Sequence, residues 1–136
     1  MVAKFQTGYM DNAVFDLQKV VREAVANLRP VASEFDTLVG TGFSGGLIIP
    51  TLALRLKKKF VLIRKESDDS HHGSGRLLGE LGERWIFVDD FTSTGTTKRR
   101  VIEKVEAAAT LHDHTTQLVA SYYYAEHITF KYTREF

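Results

Sequence analysis

The chain has 136 residues, of which 43% are hydrophobic and 26% are charged, and its formal net charge is +1. This size and composition are typical of one globular domain with a buried core, so we expect a single domain over residues 1–136. The balanced charge predicts no nucleic-acid or membrane partner, the absence of cysteine excludes disulfides and thiolate catalysis, and the lack of a signal-peptide pattern or a long apolar run predicts a cytoplasmic protein.

The first half of the chain alternates helical and strand patterns. A helix that Asp11 can cap carries its apolar residues on one face and ends at Arg29-Pro30. Three glycines at 42–46 then predict a loop with unusual backbone angles or close approach to a ligand. The apolar face of the first helix consists of Val14, Leu17, Val21, Val25 and Leu28. Around the glycine loop we expect a strand at 36–40, a buried helix at 47–57 and a second buried strand at 60–63.

The second half begins with a segment of different character. Residues 64–79 are charged, contain histidines and glycines and lack apolar periodicity, which predicts a surface loop of a length that is often functional. Downstream we expect a strand at 85–88, a helix from about 96 to 109, a strand at 118–124 and an edge strand at 128–132.

This order of elements predicts an α/β fold. Strands that alternate with helices form a parallel sheet that helices cover on both faces. Ligands of such sheets bind at the carboxyl ends of the strands. We therefore expect the loops after Val39, Ile63 and Val88 to form one composite site.

Two neighbouring aspartates follow the strand at 85–88. Four apolar residues deliver Asp89 and Asp90 to the edge of the sheet. If both carboxylates stayed ionised in a dry site they would repel, and a pair of sugar hydroxyls or a nearby Mg²⁺ would relieve that repulsion. Two alternatives remain open, namely helix capping or solvation of both acids, and a metal site without a sugar.

A bend rich in hydroxyl groups comes directly after the acids. These hydroxyls can donate to a phosphate, Gly95 lets the backbone approach it, and the following helix places its positive dipole end at the anion. An ordinary helix cap with solvated threonines is the alternative. The hydroxyl residues of the bend are Ser93, Thr94, Thr96 and Thr97.

Two other segments carry candidate anion-binding groups. The backbone N–H groups of residues 41–46 could form a second anion cradle at a helix start, although a plain turn is the more common explanation of a glycine cluster. The segment after residue 63 carries Arg64, Lys65 and His72 and could close over a polyanion, or it could be a solvated loop.

Together these segments resemble the type I phosphoribosyltransferases, and the orotate phosphoribosyltransferases in particular. Residues 88–97 match the family's signature for 5-phosphoribosyl 1-pyrophosphate (PRPP). Residues 60–66, followed by 72–75, resemble the strand and catalytic flexible loop of the orotate enzymes, and residues 41–46 stand where the family has its pyrophosphate loop. The likeness covers about residues 36–105 and implies the family's parallel sheet flanked by helices, here with a reduced hood.

The resemblance also implies an activity and a set of site residues. The activity is transfer of a phosphoribosyl group from PRPP to a nucleobase or related acceptor, with release of pyrophosphate, in nucleotide metabolism, with Mg²⁺ and as a homodimer. Asp89 and Asp90 would hold the ribose hydroxyls, directly or near Mg²⁺. The 5-phosphate would be bound by Ser93, Thr94, Gly95, Thr96 and Thr97. The pyrophosphate would be bound by Thr41, Gly42, Phe43 and Ser44. The leaving pyrophosphate would be neutralised by Arg64, Lys65 and His72.

The chain departs from the orotate enzymes at two positions that carry positive charge in that family. Residues 67–71 contain no lysine where the family's flexible loop has a catalytic one, and Ser44 stands near the place of a lysine in the pyrophosphate loop. Two alternatives follow: a non-catalytic regulatory protein that binds PRPP or a nucleotide on the same fold, and an interaction domain that keeps the fold without the ligand.

Overall fold

The computed structural model describes residues 1–5, 14–64, 77–91, 94–125 and 131–135. The α-helices are α1 (Leu17–Leu28), α2 (Gly42–Leu56) and α3 (Thr96–Leu111), and a 3-10 helix (Arg29–Glu34) follows α1. The strands are β1 (Thr37–Thr41), β2 (Lys59–Ile63), β3 (Leu77–Gly79), β4 (Arg84–Asp89), β5 (Gln117–Tyr123) and β6 (Tyr132–Arg134). Asp11, the predicted cap of the first helix, lies outside the described residues. None of the described helices is long and apolar enough to cross a lipid bilayer.

The six strands form one sheet in the order β3-β2-β1-β4-β5-β6. β1 pairs in parallel with both β2 and β4, and β4 pairs in parallel with β5, so the predicted parallel sheet is confirmed for its four central strands. β3 and β6 are antiparallel and form the two edges. The chain leaves β1 toward β2 and returns on the other side of β1 to form β4. The strand order therefore reverses between β1 and β4, and a crevice at the carboxyl ends of these two strands is where ligands of open α/β sheets bind.

Helices cover both faces of the sheet, as predicted. Successive residues of a strand point to opposite faces, and strands buried on both faces are apolar at nearly every position. α1 and α2 pack on one face through Leu28, Ile48, Leu52, Leu38, Ile86 and Tyr122. α3 packs on the other face through Val101, Val105, Val39, Trp85 and Phe87.

The predicted glycine loop at 42–46 is wrong, because these residues form the first turns of α2. Thr41 is still extended, with φ −146° and ψ 160°, and the chain enters the helix at Gly42, whose φ is +67°. A positive φ is accessible to glycine at little cost, so strand and helix join without a connecting loop.

The remaining corrections lie at the sheet edges. The predicted loop at 64–79 ends in a strand, since Leu77–Gly79 pairs with Val61–Ile63 and covers the free edge of β2. The predicted strand at 128–132 lies further along the chain as β6, where Tyr132 and Arg134 both bond the carboxylate of Glu34. Residues 126–130 lie outside the described part of the chain.

Candidate functional site

The candidate site lies where β1 and β4 end and α2 and α3 begin. β1 ends at Thr41, and α2 starts at the next residue. β4 ends at Asp89, and α3 starts after the bend at Gly95. Neither N-cap residue makes a side-chain hydrogen bond, so two positive helix ends face the same crevice.

The two aspartates are held by neighbouring backbone groups and by the two residues that follow β5. The N–H of Asp90 donates to Oδ1 of Asp89 at 2.9 Å, and the N–H of Phe91 donates to Oδ1 of Asp90 at 2.7 Å. The carbonyl oxygens of Asp89 and Asp90 accept from the N–H groups of Tyr124 and Ala125, each at 3.0 Å. These contacts fix the carboxylates in place before any ligand binds.

Burial gives the acid pair unusual electrostatics. Asp89 and Asp90 are each 8% exposed. The pKa of Asp89 is raised to about 6, because burial and the charge of the neighbouring Asp90 together outweigh the hydrogen bonds from Ser44 and from the N–H of Asp90. Within the described residues, Oδ2 of Asp90 is buried and has no hydrogen-bond partner. A buried carboxylate oxygen without a donor is costly, so this atom is suited to accept a hydroxyl or to bind a cation.

The start of α2 completes one wall of the site. Thr41 is 9% exposed, and its hydroxyl donates to the carbonyl of Ile63 at 2.6 Å. The Ser44 hydroxyl lies within reach of two acceptors, the carbonyl of Thr41 at 3.2 Å and the carboxylate of Asp89, and donates to one of them at a time. Phe43 is 87% exposed at the rim. The side-chain hydroxyls of Thr41 and Ser44 thus form hydrogen bonds within the protein. The backbone amides of the first turn are the groups available to an anion.

The hydroxyl-rich bend forms the opposite wall. Gly95 has a φ of +85°, and the hydroxyls of Thr94 and Thr96 lie 2.8 Å apart. The N–H of Thr96 reaches the Thr94 hydroxyl at 3.3 Å, a long and weak bond that a phosphate oxygen can replace. Thr94, Thr96 and Thr97 are exposed. The acids and the described part of the bend therefore lie at the same sheet edge, as the sequence predicts.

Three predicted site residues, Lys65, His72 and Ser93, lie outside the described part of the chain. Arg64 directly follows β2 and lines a cavity of about 30 Å³ together with Thr41 and Thr97. The structure thus brings Arg64 to the same edge as the two helix starts.

Among the described residues, no group of three or more acidic, histidine or cysteine side chains is arranged to hold a metal ion. Two adjacent carboxylates with a free oxygen are nevertheless a hard oxygen donor set, which Mg²⁺ accepts when water and substrate oxygens supply its other ligands. The residues present therefore fit Mg²⁺ that arrives with a phosphorylated substrate.

Comparison with known proteins connects this site to a family. No family model matches the chain. The adenine phosphoribosyltransferase of Bifidobacterium longum subsp. infantis is 36% identical over 104 residues, which cover 65% of this chain and 54% of that protein. The orotate phosphoribosyltransferase of Herminiimonas arsenicoxydans is 31% identical over 80 residues, which cover 55% of this chain and 36% of that protein. The chain is a homologue of the type I phosphoribosyltransferases.

The fold agrees with this phosphoribosyltransferase relationship. The crystal structure of adenine phosphoribosyltransferase from Saccharomyces cerevisiae, in complex with adenine and an imino-altritol bisphosphate, superposes with a TM-score of 0.54 and 27% identity. The superposition covers 78% of this chain and 65% of that one. The family and fold predicted from the sequence are confirmed, whereas the reduced hood stays a prediction. The chain spans about half or less of the length of the two curated relatives.

Two features of this candidate site cannot be predicted from the sequence. The first is the contact of Gly40 with Gly45, where a Cβ on Gly40 would lie 2.5 Å from Ile49 Cδ1 and 2.7 Å from the carbonyl oxygen of Val88. The second is Tyr124, which is 3% exposed and donates its hydroxyl to the carbonyl of Ser44 at 2.8 Å. Both depend on pairings between distant segments, and the only local signals are small residues and an aromatic run.

Arg99 is a further residue that the motif does not indicate. A Cβ on Gly95 would lie 3.6 Å from Nη1 of Arg99, so this guanidinium lies beside the bend. Guanidinium groups bind phosphates with two parallel hydrogen bonds. The run of cations at 98–100 is the only signal for Arg99 in the sequence.

A larger cavity of about 560 Å³ lies between α1, the 3-10 helix and β6. Its lining residues are Glu23, Ala26, Asn27, Val31, Lys131, Tyr132 and Arg134. The amide of Asn27 donates to the buried hydroxyl of Tyr122 at 3.0 Å, and Lys131 donates to the carbonyl of Tyr124 at 3.2 Å. Two lining residues of this cavity thus bond Tyr122 of β5 and Tyr124, the residue after β5.

Proposed function

We propose that the chain is an enzyme that transfers a phosphoribosyl group from PRPP to a nucleobase or related acceptor and releases pyrophosphate. The observation that carries the proposal is the buried Asp89–Asp90 pair, with its unpartnered Oδ2, beside the bend at the start of α3. The proposed activity is supported by two relatives of the chain, which are named adenine and orotate phosphoribosyltransferase.

The proposed donor fits the groups at the sheet edge. Asp89 and Asp90 accept hydrogen bonds from the ribose hydroxyls or hold Mg²⁺, which would neutralise donor charge when bound. The amides and hydroxyls of the bend bind the 5-phosphate, with Ser93, Thr94, Gly95, Thr96 and Thr97 as the proposed residues. The first turn of α2 binds the pyrophosphate through Thr41, Gly42, Phe43 and Ser44. Arg64, Lys65 and His72 neutralise the leaving group.

The proposed reaction is a substitution at C1 of the sugar. The C1–O bond to pyrophosphate breaks and its electron pair leaves with the pyrophosphate oxygen, while a ring-nitrogen lone pair of the base forms the C1–N bond. The base then loses the proton of that nitrogen. Positive charge develops on the sugar and negative charge on the leaving oxygen, so the enzyme acts by positioning and by electrostatic stabilisation.

In the proposed reaction, the carboxylates of Asp89 and Asp90 orient the sugar and stabilise its positive charge. Their hydrogen bonds to the ribose hydroxyls orient C1, and their negative charge favours an oxocarbenium-like sugar. Because the carbonyls of both aspartates are bonded to Tyr124 and Ala125, little reorganisation is needed when the donor binds.

The acceptor and the turnover can be tested together. Purified protein with PRPP and Mg²⁺ is offered adenine, hypoxanthine, guanine, xanthine, orotate or uracil, and pyrophosphate release is measured. We expect release with at least one base and none without base. Saturable PRPP binding without release for every base would instead support the non-catalytic regulatory protein, which the missing lysine at 67–71 favours.

We also propose that the protein is a cytoplasmic homodimer, as the resemblance implies. Phe43 and Leu54 are 87% and 80% exposed on α2, so this helix offers an apolar surface to a second copy. Sedimentation equilibrium should give twice the mass of one chain. A concentration-independent monomer would contradict the dimer without affecting the proposed chemistry.

A further inference from the structure

The cavity of about 560 Å³ between α1 and β6 has a volume suited to a small organic ligand. Sites for such ligands usually occupy about 300–1,000 Å³ and combine apolar walls with a few polar groups. None of the described residues that line the cavity belongs to the crevice around Asp89 and Asp90. They are Glu23, Ala26 and Asn27 of α1, Val31 of the 3-10 helix, Lys131, and Tyr132 and Arg134 of β6.

The polar groups of this cavity are sorted by wall. α1 contributes the carboxylate of Glu23 and the carboxamide of Asn27, both of which carry acceptor oxygens. The amide nitrogen of Asn27 donates to the hydroxyl of Tyr122, which fixes the orientation of the carboxamide. The opposite wall contributes the cations Lys131 and Arg134. A ligand that suits both walls has an anionic group at one end and N–H donors at the other.

Arg134 is already held in one orientation. Its Nε and Nη2 donate to the two carboxylate oxygens of Glu34 at 2.9 and 2.6 Å, and Nη1 takes no part in this pair. Tyr132 donates its hydroxyl to the same carboxylate at 3.1 Å, and the centre of its ring lies 5.6 Å from the guanidinium carbon of Arg134. A guanidinium that is fixed in this way loses little conformational freedom when it binds an anion.

Lys131 is paired less tightly. Its ammonium lies 3.8 Å from the carboxylate of Glu23, which is well beyond the length of about 2.7–2.9 Å for a charge-assisted hydrogen bond. Its hydrogen bond to the carbonyl of Tyr124 is 3.2 Å long. An anionic ligand that replaces Glu23 as the partner of Lys131 gains a shorter bond, and the carboxylate of Glu23 then accepts from N–H donors.

A nucleoside monophosphate meets these requirements. Its phosphate is an anion for Lys131 and Arg134, and the N–H groups of its base suit the acceptor oxygens of the α1 wall. The base and the sugar can pack on the apolar side chains of the lining. Inorganic phosphate would leave the α1 wall unused. A triphosphate would bring more negative charge than two cations beside one acid offset.

We propose that this cavity is a second ligand site and binds a nucleoside monophosphate, with the phosphate on the β6 side and the base on the α1 side. The site goes beyond the proposed function, because it binds its ligand whether or not the sheet edge binds PRPP. Lys131 bonds Tyr124, whose N–H donates to the carbonyl of Asp89. The two sites are therefore linked through Tyr124 without sharing a described side chain of their linings.

The test is calorimetric titration with uridine and adenosine 5′-monophosphates in Mg²⁺ and excess PRPP, which keeps the sheet edge occupied. We expect the wild type to bind one nucleotide per chain. Ala26→Phe places a ring in the cavity and Lys131→Gln removes a cation, so each should weaken nucleotide binding about tenfold or more. Ala107→Phe, at an exposed alanine of α3, is the control and should leave the affinity unchanged.

Two smaller probes test the chemical class of the ligand. Inorganic phosphate lacks the base and uridine lacks the phosphate, so each should bind about tenfold or more weakly than uridine 5′-monophosphate. Phosphate that binds as tightly as the nucleotide would refute recognition of the base. Uridine that binds as tightly would refute the phosphate contacts of Lys131 and Arg134.

The outcomes separate this inference from the proposed function. The cavity site is refuted, and the proposed function stands, if the PRPP-bound wild type binds no nucleotide or if Ala26→Phe binds it as tightly. If the wild type binds no PRPP, the proposed function fails, and the same titrations without PRPP still decide whether the cavity binds a nucleotide. Urea unfolding of each variant verifies that the fold is intact.

Discussion

Asp89 combines deep burial with a charged neighbour, which makes its ionisation part of the folding equilibrium. Its pKa rises from 3.8 to about 6 in the folded chain. The native state therefore binds more protons than the unfolded state between about pH 4 and 6, and the free energy of unfolding falls as pH rises through this window. The expected loss is on the order of 1–3 kcal/mol.

The measurement is urea unfolding of the wild type and Asp89→Asn at several pH values from 4 to 7. The difference between the two proteins cancels the titration of other groups, such as Asp36, whose hydrogen bonds lower its pKa despite partial burial. We expect that difference to shift in favour of Asp89→Asn as pH rises. A difference that stays constant with pH would show that Asp89 titrates normally.

The local sequence predicts which residues of the site carry the chemistry. It does not predict the distant residues that hold them in place. Asp89, Asp90 and the threonines of the bend are adjacent in the chain, and an apolar strand before them and a helix after them suffice to place them. Tyr124 is 80 residues away from the Ser44 carbonyl that it bonds, so only the folded topology reveals this contact. Asp90 accepts from the backbone N–H groups of Phe91 and of Ala125, and no residue pattern encodes the contact with Ala125, which follows β5.

At the scale of elements, the contact of α2 with β1 controls the geometry of the site. A Cβ on Gly40, in β1, would clash with Ile49 and with the carbonyl of Val88, whereas a Cβ on Gly46, in α2, would meet nothing within 4 Å. Gly40→Ala should therefore lower the free energy of unfolding by about 1–3 kcal/mol through overpacking. Gly46→Ala should leave it unchanged or raise it by about 0.5–1 kcal/mol, since alanine favours the helix.

Urea unfolding of the two glycine variants checks this directly. Equal stability of Gly40→Ala and the wild type would mean that α2 can move away from β1 without cost. Calorimetric titration of both variants with PRPP should show weaker binding for Gly40→Ala only, because displacement of α2 moves Ser44 away from Asp89.

A second element-scale prediction concerns the hydrogen bond between Tyr124, the residue after β5, and α2. Tyr124→Phe removes a hydroxyl that donates to Ser44 at 2.8 Å in a buried position. We expect a loss of about 0.5–1.5 kcal/mol in unfolding free energy and weaker PRPP binding. Tyr123→Phe, at the preceding residue and the last one of β5, is the matched control. A variant of Tyr124 with unchanged stability and affinity would show that this bond does not support the site.

The elements themselves were predictable where a pattern was long. β1, β2, β4 and β5 are apolar runs with polar or glycine boundaries, and α3 follows a clear bend. β3 has only three residues, and its existence depends on pairing with β2. The start of α2 was missed because glycines disfavour helices in general, while here Gly42 supplies a positive φ and Gly45 permits contact with Gly40.

At the scale of the whole molecule, a net charge close to zero conceals a local cluster of positive groups. The 18 basic and 17 acidic residues nearly cancel. The carboxyl edge nevertheless combines two helix starts with Arg64, Arg99, Arg100 and Lys104, around a buried acid pair. This is the distribution that a ligand with several phosphates and a diol requires, because phosphate needs positive groups and sugar hydroxyls need acceptors.

The most direct test of this account is calorimetric titration of the wild type and Asp90→Asn with PRPP in the presence of Mg²⁺. We predict saturable binding to the wild type, weakened about 10- to 150-fold in Asp90→Asn by loss of a charge-assisted hydrogen bond. The variant should unfold at no lower urea concentration, because it removes a buried charge. Absence of saturable binding to the wild type, or equal affinity of the variant, would contradict the claim that the acid pair and the bend together bind a phosphorylated pentose.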